Sequence, residues 1–255
     1  MKSILRYIYS SVVETTKKLH IAVRTKRCLG FCCGLFLLSS WAMPLVAQKR
    51  IQPRLDIGVI GGAVLSQMTF DPSITQDMAQ GYSAGVSFRY IEEQLFGLQI
   101  DALLSRRGWR DRYNEFPEYF YQRNLTYLEI PFLSHIYFPM GQRNEISVNL
   151  GPKLGVMLGE SSDSNLPSDF DNIYTGTTVH HSMDVSKRFD YGIQAGLGYE
   201  FRFNPEWSMQ LSGSYYFGLG NIFPDTKSDT FETSSNQHIM ITLTLYRRML
   251  LKNKR

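Results

Sequence analysis

The residues able to do chemistry in this chain fall into two groups, and neither has a spacing that belongs to one reaction. His180-His181, with Ser182 and Asp184 beside it, has the composition of a metal site or a hydrolase. Adjacent histidines in a polar loop supply two ligands, and no third ligand stands at a recognisable metal spacing. The pair is therefore read as solvated loop polarity, with no metal and no cofactor assigned. A lipid-modifying or proteolytic site at that rim could draw on His180, His181 and His238 alone. The second group is ionic: Asp56, Arg89, Asp101, Glu129, His135, Lys153, Asp190, Glu200 and Arg202. No pair among them has a reaction-specific spacing, so no catalytic residue is assigned and the chain is not expected to be an enzyme.

What these charges share is their setting. Each sits in a stretch where apolar and polar residues alternate, as in Arg188–Phe203, where Phe189, Tyr191, Ile193, Ala195, Leu197, Tyr199, Phe201 and Phe203 share one face. Side chains of a strand point to opposite faces with period 2, so one face is apolar and the other polar. Eight such strands are expected, at 54–66, 81–91, 95–107, 125–138, 145–158, 188–203, 207–221 and 238–248. Each exceeds the roughly 9–11 residues that a tilted strand needs to cross a bilayer. The connections 67–80, 108–124, 159–187 and 222–237 are long and polar. Those at 92–94, 139–144 and 204–206 are short turns. This asymmetry predicts an all-β fold, an eight-stranded antiparallel transmembrane barrel of the outer membrane. Both termini and the short turns would then be periplasmic and the long loops extracellular. A soluble β-sandwich or lipid-binding barrel is the competing fold. Glycines on the polar face (Gly58, Gly62, Gly192, Gly196 and Gly198 among them) favour a narrow lumen that must accommodate charged side chains.

Residues 1–47 read as an address. Arg24, Lys26 and Arg27 precede the apolar run Cys28–Leu38, and small residues follow up to Ala47, the order of a secretory signal. Cleavage is expected after Ala47, with Ala42 the alternative, and the basic part is an unusually extended leader. The barrel domain then spans 48–255. Seven of the 27 Lys/Arg and one of the 23 Asp/Glu fall in 1–47, which leaves 20 bases against 22 acids. That net of −2 gives no argument for nucleic-acid binding. All three cysteines, Cys28, Cys32 and Cys33, also lie in the leader. The rest has no thiol chemistry.

Strand parity places Arg89, Asp101, Glu129, Lys153, Asp190, Glu200 and Arg202 inside the barrel as a structural charge network, with Glu129 and Lys153 expected to belong together. Eight strands enclose only enough space for side chains. The loop Trp109–Arg123 is the candidate partner surface. Trp109, Arg110, Arg112, Tyr113, Tyr119, Phe120 and Tyr121 include the aromatic and arginine types enriched in binding hot spots. The acidic stretches 159–172 and 225–232 lack the ordered spacing of a calcium loop.

Leu125-Thr-Tyr-Leu-Glu-Ile-Pro-Phe-Leu133, with Gly151-Pro-Lys-Leu-Gly155 and the leader end Val46-Ala47-Gln48, resembles the PorT-like outer-membrane barrels of Bacteroidetes type. Glu129 and Pro131 match that motif. The resemblance implies an integral outer-membrane protein, in contact with outer-membrane lipid. It also implies an accessory or scaffold role in type IX protein secretion or transport. Partners in a secretion machinery would meet the extracellular loops or the basic C-terminal tail Tyr246–Arg255. That tail lacks the terminal aromatic usual in barrel-assembly substrates. Surface adhesion or ligand binding is the alternative function.

Overall fold

The structure is a computed structural model that describes residues 52–174, 178–185, 187–223 and 232–251. The expected signal peptide, most of the acidic stretch 225–232 and the end of the basic tail lie outside the described residues. The strands are β1 (Arg54–Asp71), β2 (Gln76–Asp77), β3 (Ala79–Glu93), β4 (Phe96–Arg112), β5 (Phe120–Met140), β6 (Asn144–Ser164), β7 (Phe189–Arg202), β8 (Trp207–Asn221) and β9 (Thr233–Leu250). Eight are long, and β2 is a two-residue strand on the end of β4. Every long strand pairs antiparallel with its neighbours, β1 pairs with β9, and β4 with β5, so the hydrogen-bonded ring closes. Closure removes the unpaired edges that an open sheet would expose.

The two faces are inverted relative to a soluble protein. Val59, Leu197, Leu211, Ile241 and Leu243 are at least half exposed on the outside, while Asp56, Arg89, Glu129 and Lys153 are buried inside. Water would penalise that outer surface; hydrocarbon does not. Outward aromatics gather toward both strand ends, with Tyr90, Phe96, Phe138 and Trp207 near the short turns. Tyr82, Phe189, Tyr191 and Phe217 lie toward the long loops. Arg54 is opposite Leu250, so both strand termini lie at the short-turn end. There, Gly141 turns the chain at φ 77°, and the Asn204 side chain accepts the backbone N–H groups of Glu206 and Trp207.

The wall rises farther at the loop end than alternation indicates. β1 continues to Asp71, β4 to Arg112, β6 to Ser164, and β5 starts at Phe120. The stretch read as a loop over 108–124 is therefore mostly strand, with a connection of only 113–119. The reason is physical: beyond the bilayer the outer face meets water, so the apolar–polar contrast fades while backbone pairing continues. Inside, glycines make room. A Cβ on Gly198 would lie 2.2 Å from the Gln210 amide, and one on Gly58 would lie 2.7 Å from the Tyr246 ring.

Candidate functional site

The inward polar side chains form two clusters stacked along the barrel. The one nearer the short turns centres on Arg89 of β3. Its guanidinium donates to Glu200 (2.7 Å), Gln210 (2.5 Å) and Gln99 (3.2 Å), and lies 4.1 Å from the Tyr246 ring centroid. Arg248 donates to Glu200 at 2.7 Å and to Glu145 at 3.2 Å. Glu145 also pairs with Arg202 and, at 3.5 Å, with Arg54. Arg54 in turn lies 3.3 Å from Asp56. Asp101 accepts from Ser87 at 2.5 Å and Gln99 at 3.0 Å. Four guanidinium groups thus face four carboxylates.

The second cluster lies nearer the long loops. Lys153 of β6 pairs with Glu129 of β5 at 2.6 Å. Arg107 of β4 reaches Glu129 at 3.3 Å and Asp190 of β7 at 2.5 Å. Ser105 and Asn236 donate to Glu129 and Asp190, and the Tyr127 ring lies 4.0 Å from the Arg107 guanidinium. His238 stands between the cations, 2.9 Å from Lys153 and 3.2 Å from Arg107. A neutral imidazole accepts at one nitrogen only, so His238 can accept from one of the two cations and not from both. Two cations and two carboxylates balance here as well.

Ile60, Val64, Leu103 and Met240 form an apolar patch between the clusters along β1, β4 and β9. A cavity of about 20 Å³, lined by Gln99, Asp101, Asn149, Gln194 and Gln210, adjoins it, room for about one water. Toward the long loops the lumen is closed by Met68, Phe70, Trp109, Leu125, Met157 and Phe223. Phe70 and Phe223 each meet Trp109 edge-on, at 5.6 and 6.1 Å.

The expected network residues thus divide: Arg89, Asp101, Glu200 and Arg202 in one cluster, Glu129, Lys153 and Asp190 in the other. Arg202 sits at the mouth, its side chain 30% exposed. Arg107, Glu145, Arg54 and Arg248 are cluster members that the sequence reading omitted. Arg107 shares the parity of Asp101, so its signal was present; it stood at the expected end of its strand.

The aromatic–arginine set also divides, and three of its members, Trp109, Tyr113 and Tyr121, are corrected as exposed anchors. Trp109 is fully buried in the lumen, and Tyr121 is buried against the His181 ring at 3.9 Å. Both belong to strands whose inward parity continues past the bilayer. Tyr113 is buried against Phe170 and Tyr174, and burial, reinforced by the Asp111 carboxylate, pushes its hydroxyl well above the usual tyrosine range. Arg110 lies over Phe120 at 4.3 Å, Tyr119 packs on Phe170, and Arg112 is exposed beside Asp77.

The histidine pair is not a solvated loop. Val179–His181 is a short 3-10 turn that directs both rings into the rim. His180 Nε2 lies 2.6 Å and His181 Nε2 2.8 Å from the same oxygen of Asp111, on β4. The third metal-capable side chain stands about 70 residues earlier in the chain, which no local spacing could reveal.

Residues 46–224 match the family model described as "Outer membrane protein beta-barrel domain", and the chain belongs to that family. No curated protein matches it. Among solved structures it is similar to the outer membrane protein OprG from Pseudomonas aeruginosa, with 12% identity and a TM-score of 0.46 over 79% of this chain and 98% of that one. It is also similar to Ail, the attachment invasion locus protein of Yersinia pestis, in complex with the heparin analogue sucrose octasulfate. There the identity is 14% and the TM-score 0.40, over 78% of this chain and all of that one.

Proposed function

We propose that this outer-membrane barrel is a non-conducting, non-enzymatic scaffold that acts by protein contact, as an accessory in type IX-like protein secretion. The observation that carries the first half is the lumen. Two charge-balanced clusters and an aromatic plug occupy it among the described residues, and the central cavity beside them holds about 20 Å³. Eight strands leave an interior that side chains can fill, and the acids and bases inside pair with one another. Binding then falls to the rim, where Arg112, Phe116 and Tyr119 remain at least partly accessible. The secretion assignment draws on the likeness of Tyr127–Pro131 to PorT-like barrels. On this reading the termini and short turns face the periplasm, and the long loops face outward.

Quantitative secretome proteomics of a clean deletion strain tests it. The expected result is loss of a defined set of exported proteins from the medium, with their accumulation in the periplasm. An unchanged secretome would remove the secretion role and leave adhesion or ligand binding at the same rim. Large, stable conductances in planar bilayers would overturn the closed lumen.

A further inference from the structure

We propose that Asp111, His180 and His181 form a site for one divalent first-row transition ion, such as zinc, which fastens the third long connection to the barrel rim. The inference goes beyond the scaffold reading and does not depend on it. Both imidazole Nε2 atoms converge on a single carboxylate oxygen, and the three donor groups lie within 4.8 Å of one another. Metal–ligand bonds of about 2.0–2.2 Å span such a group after a small outward adjustment. Asp111 is 2% exposed, and its second oxygen, Oδ1, is buried with no hydrogen bond among the described residues. A buried carboxylate oxygen without a donor is costly, and a cation at this point would satisfy it.

The surroundings hold the donors in place. The two rings lie 4.4 Å apart at 68°, an arrangement that extended backbone, with alternating side chains, would not give. Arg123 donates to the carbonyls of His180 and Met183, and the Tyr121 hydroxyl donates to the carbonyl of His181. Tyr121 also stacks on His181. The charge of Arg123 is met by Glu160 at 2.7 Å, so it does not oppose an ion. Two imidazoles and one carboxylate suit zinc and its neighbours and not calcium or magnesium, which prefer all-oxygen sets. Three protein ligands leave a position open. His181, with a side chain 16% exposed, marks the side from which water or an incoming ligand would reach it. On binding, the ion replaces the two Nε2 protons, and each imidazole carries its proton on Nδ1.

The test uses the untagged protein, extracted from membranes in detergent and stripped with a chelator. Titration with zinc should show one ion per chain, and cobalt should give ligand-field absorption bands that zinc abolishes. His181→Ala, at the most exposed ligand, and Asp111→Asn should each weaken binding by more than the roughly 10–100-fold typical of losing a supporting contact. Heat-modifiable migration on a gel checks that each variant is folded. If folded wild-type protein takes up no stoichiometric zinc, or if folded variants bind as tightly as wild type, the site does not exist.

Discussion

The two lumen clusters use the same chemistry with different stakes. Near the long loops, Arg107, Glu129, Lys153 and Asp190 are all at most 2% exposed, sealed beneath the aromatic plug. Near the short turns, Arg54 and Arg202 reach solvent, and Glu145 is contacted by three arginines. The sealed cluster has two cations for two carboxylates and nothing in reserve. The open one has four of each and shares them. Loss of one group should therefore strand a buried charge in the first case and redistribute partners in the second. Burial and redundancy, more than the number of ion pairs, decide what such a network contributes.

The largest expected effect comes from Glu129→Ala, which leaves Lys153 without its carboxylate and Arg107 with Asp190 alone. Removing one partner of a buried pair costs about 3–5 kcal/mol, read as a shift in denaturant unfolding midpoint in micelles. Adding Lys153→Met should recover much of that loss; no recovery would mean that the pair is not coupled. Trp109→Ala tests the seal itself. Truncating a buried tryptophan costs about 3–5 kcal/mol, yet bilayer recordings should still show no stable conductance, because both charge clusters remain below it. An open channel in that variant would make the plug, and not the clusters, the barrier. Gly198→Val should cost about 1–3 kcal/mol by overpacking, since its Cβ meets Gln210 and through it Arg89. The smallest effect belongs to Arg202→Ala, at about 0–1 kcal/mol, because Glu145 keeps Arg54 and Arg248. A loss as large as that of Glu129→Ala would erase the distinction between the clusters.

Much of the barrel was legible in the sequence because the period of 2 is a property of the backbone itself. Tyr191, Ile193 and Leu197 had to face one way, and Asp190 and Glu200 the other. Strand ends were less legible: past Arg107 and Gly159 the outer face turns polar, and alternation no longer marks where pairing stops. The same limit hid Trp109, whose inward parity follows from Asp101 once β4 is known to reach Arg112.

By itself, then, the sequence determined which face each strand residue takes and which connections are short. Only the tertiary structure decided which inward charges meet. Strand tilt and stagger in the closed ring set Arg89 against Glu200, 111 residues away, and Arg107 against Asp190, 83 residues away. Those partners depend on closure, a long-range property that no local pattern encodes. The same holds for Asp111 and the two histidines, which a 3-10 turn and a strand end bring to one oxygen atom.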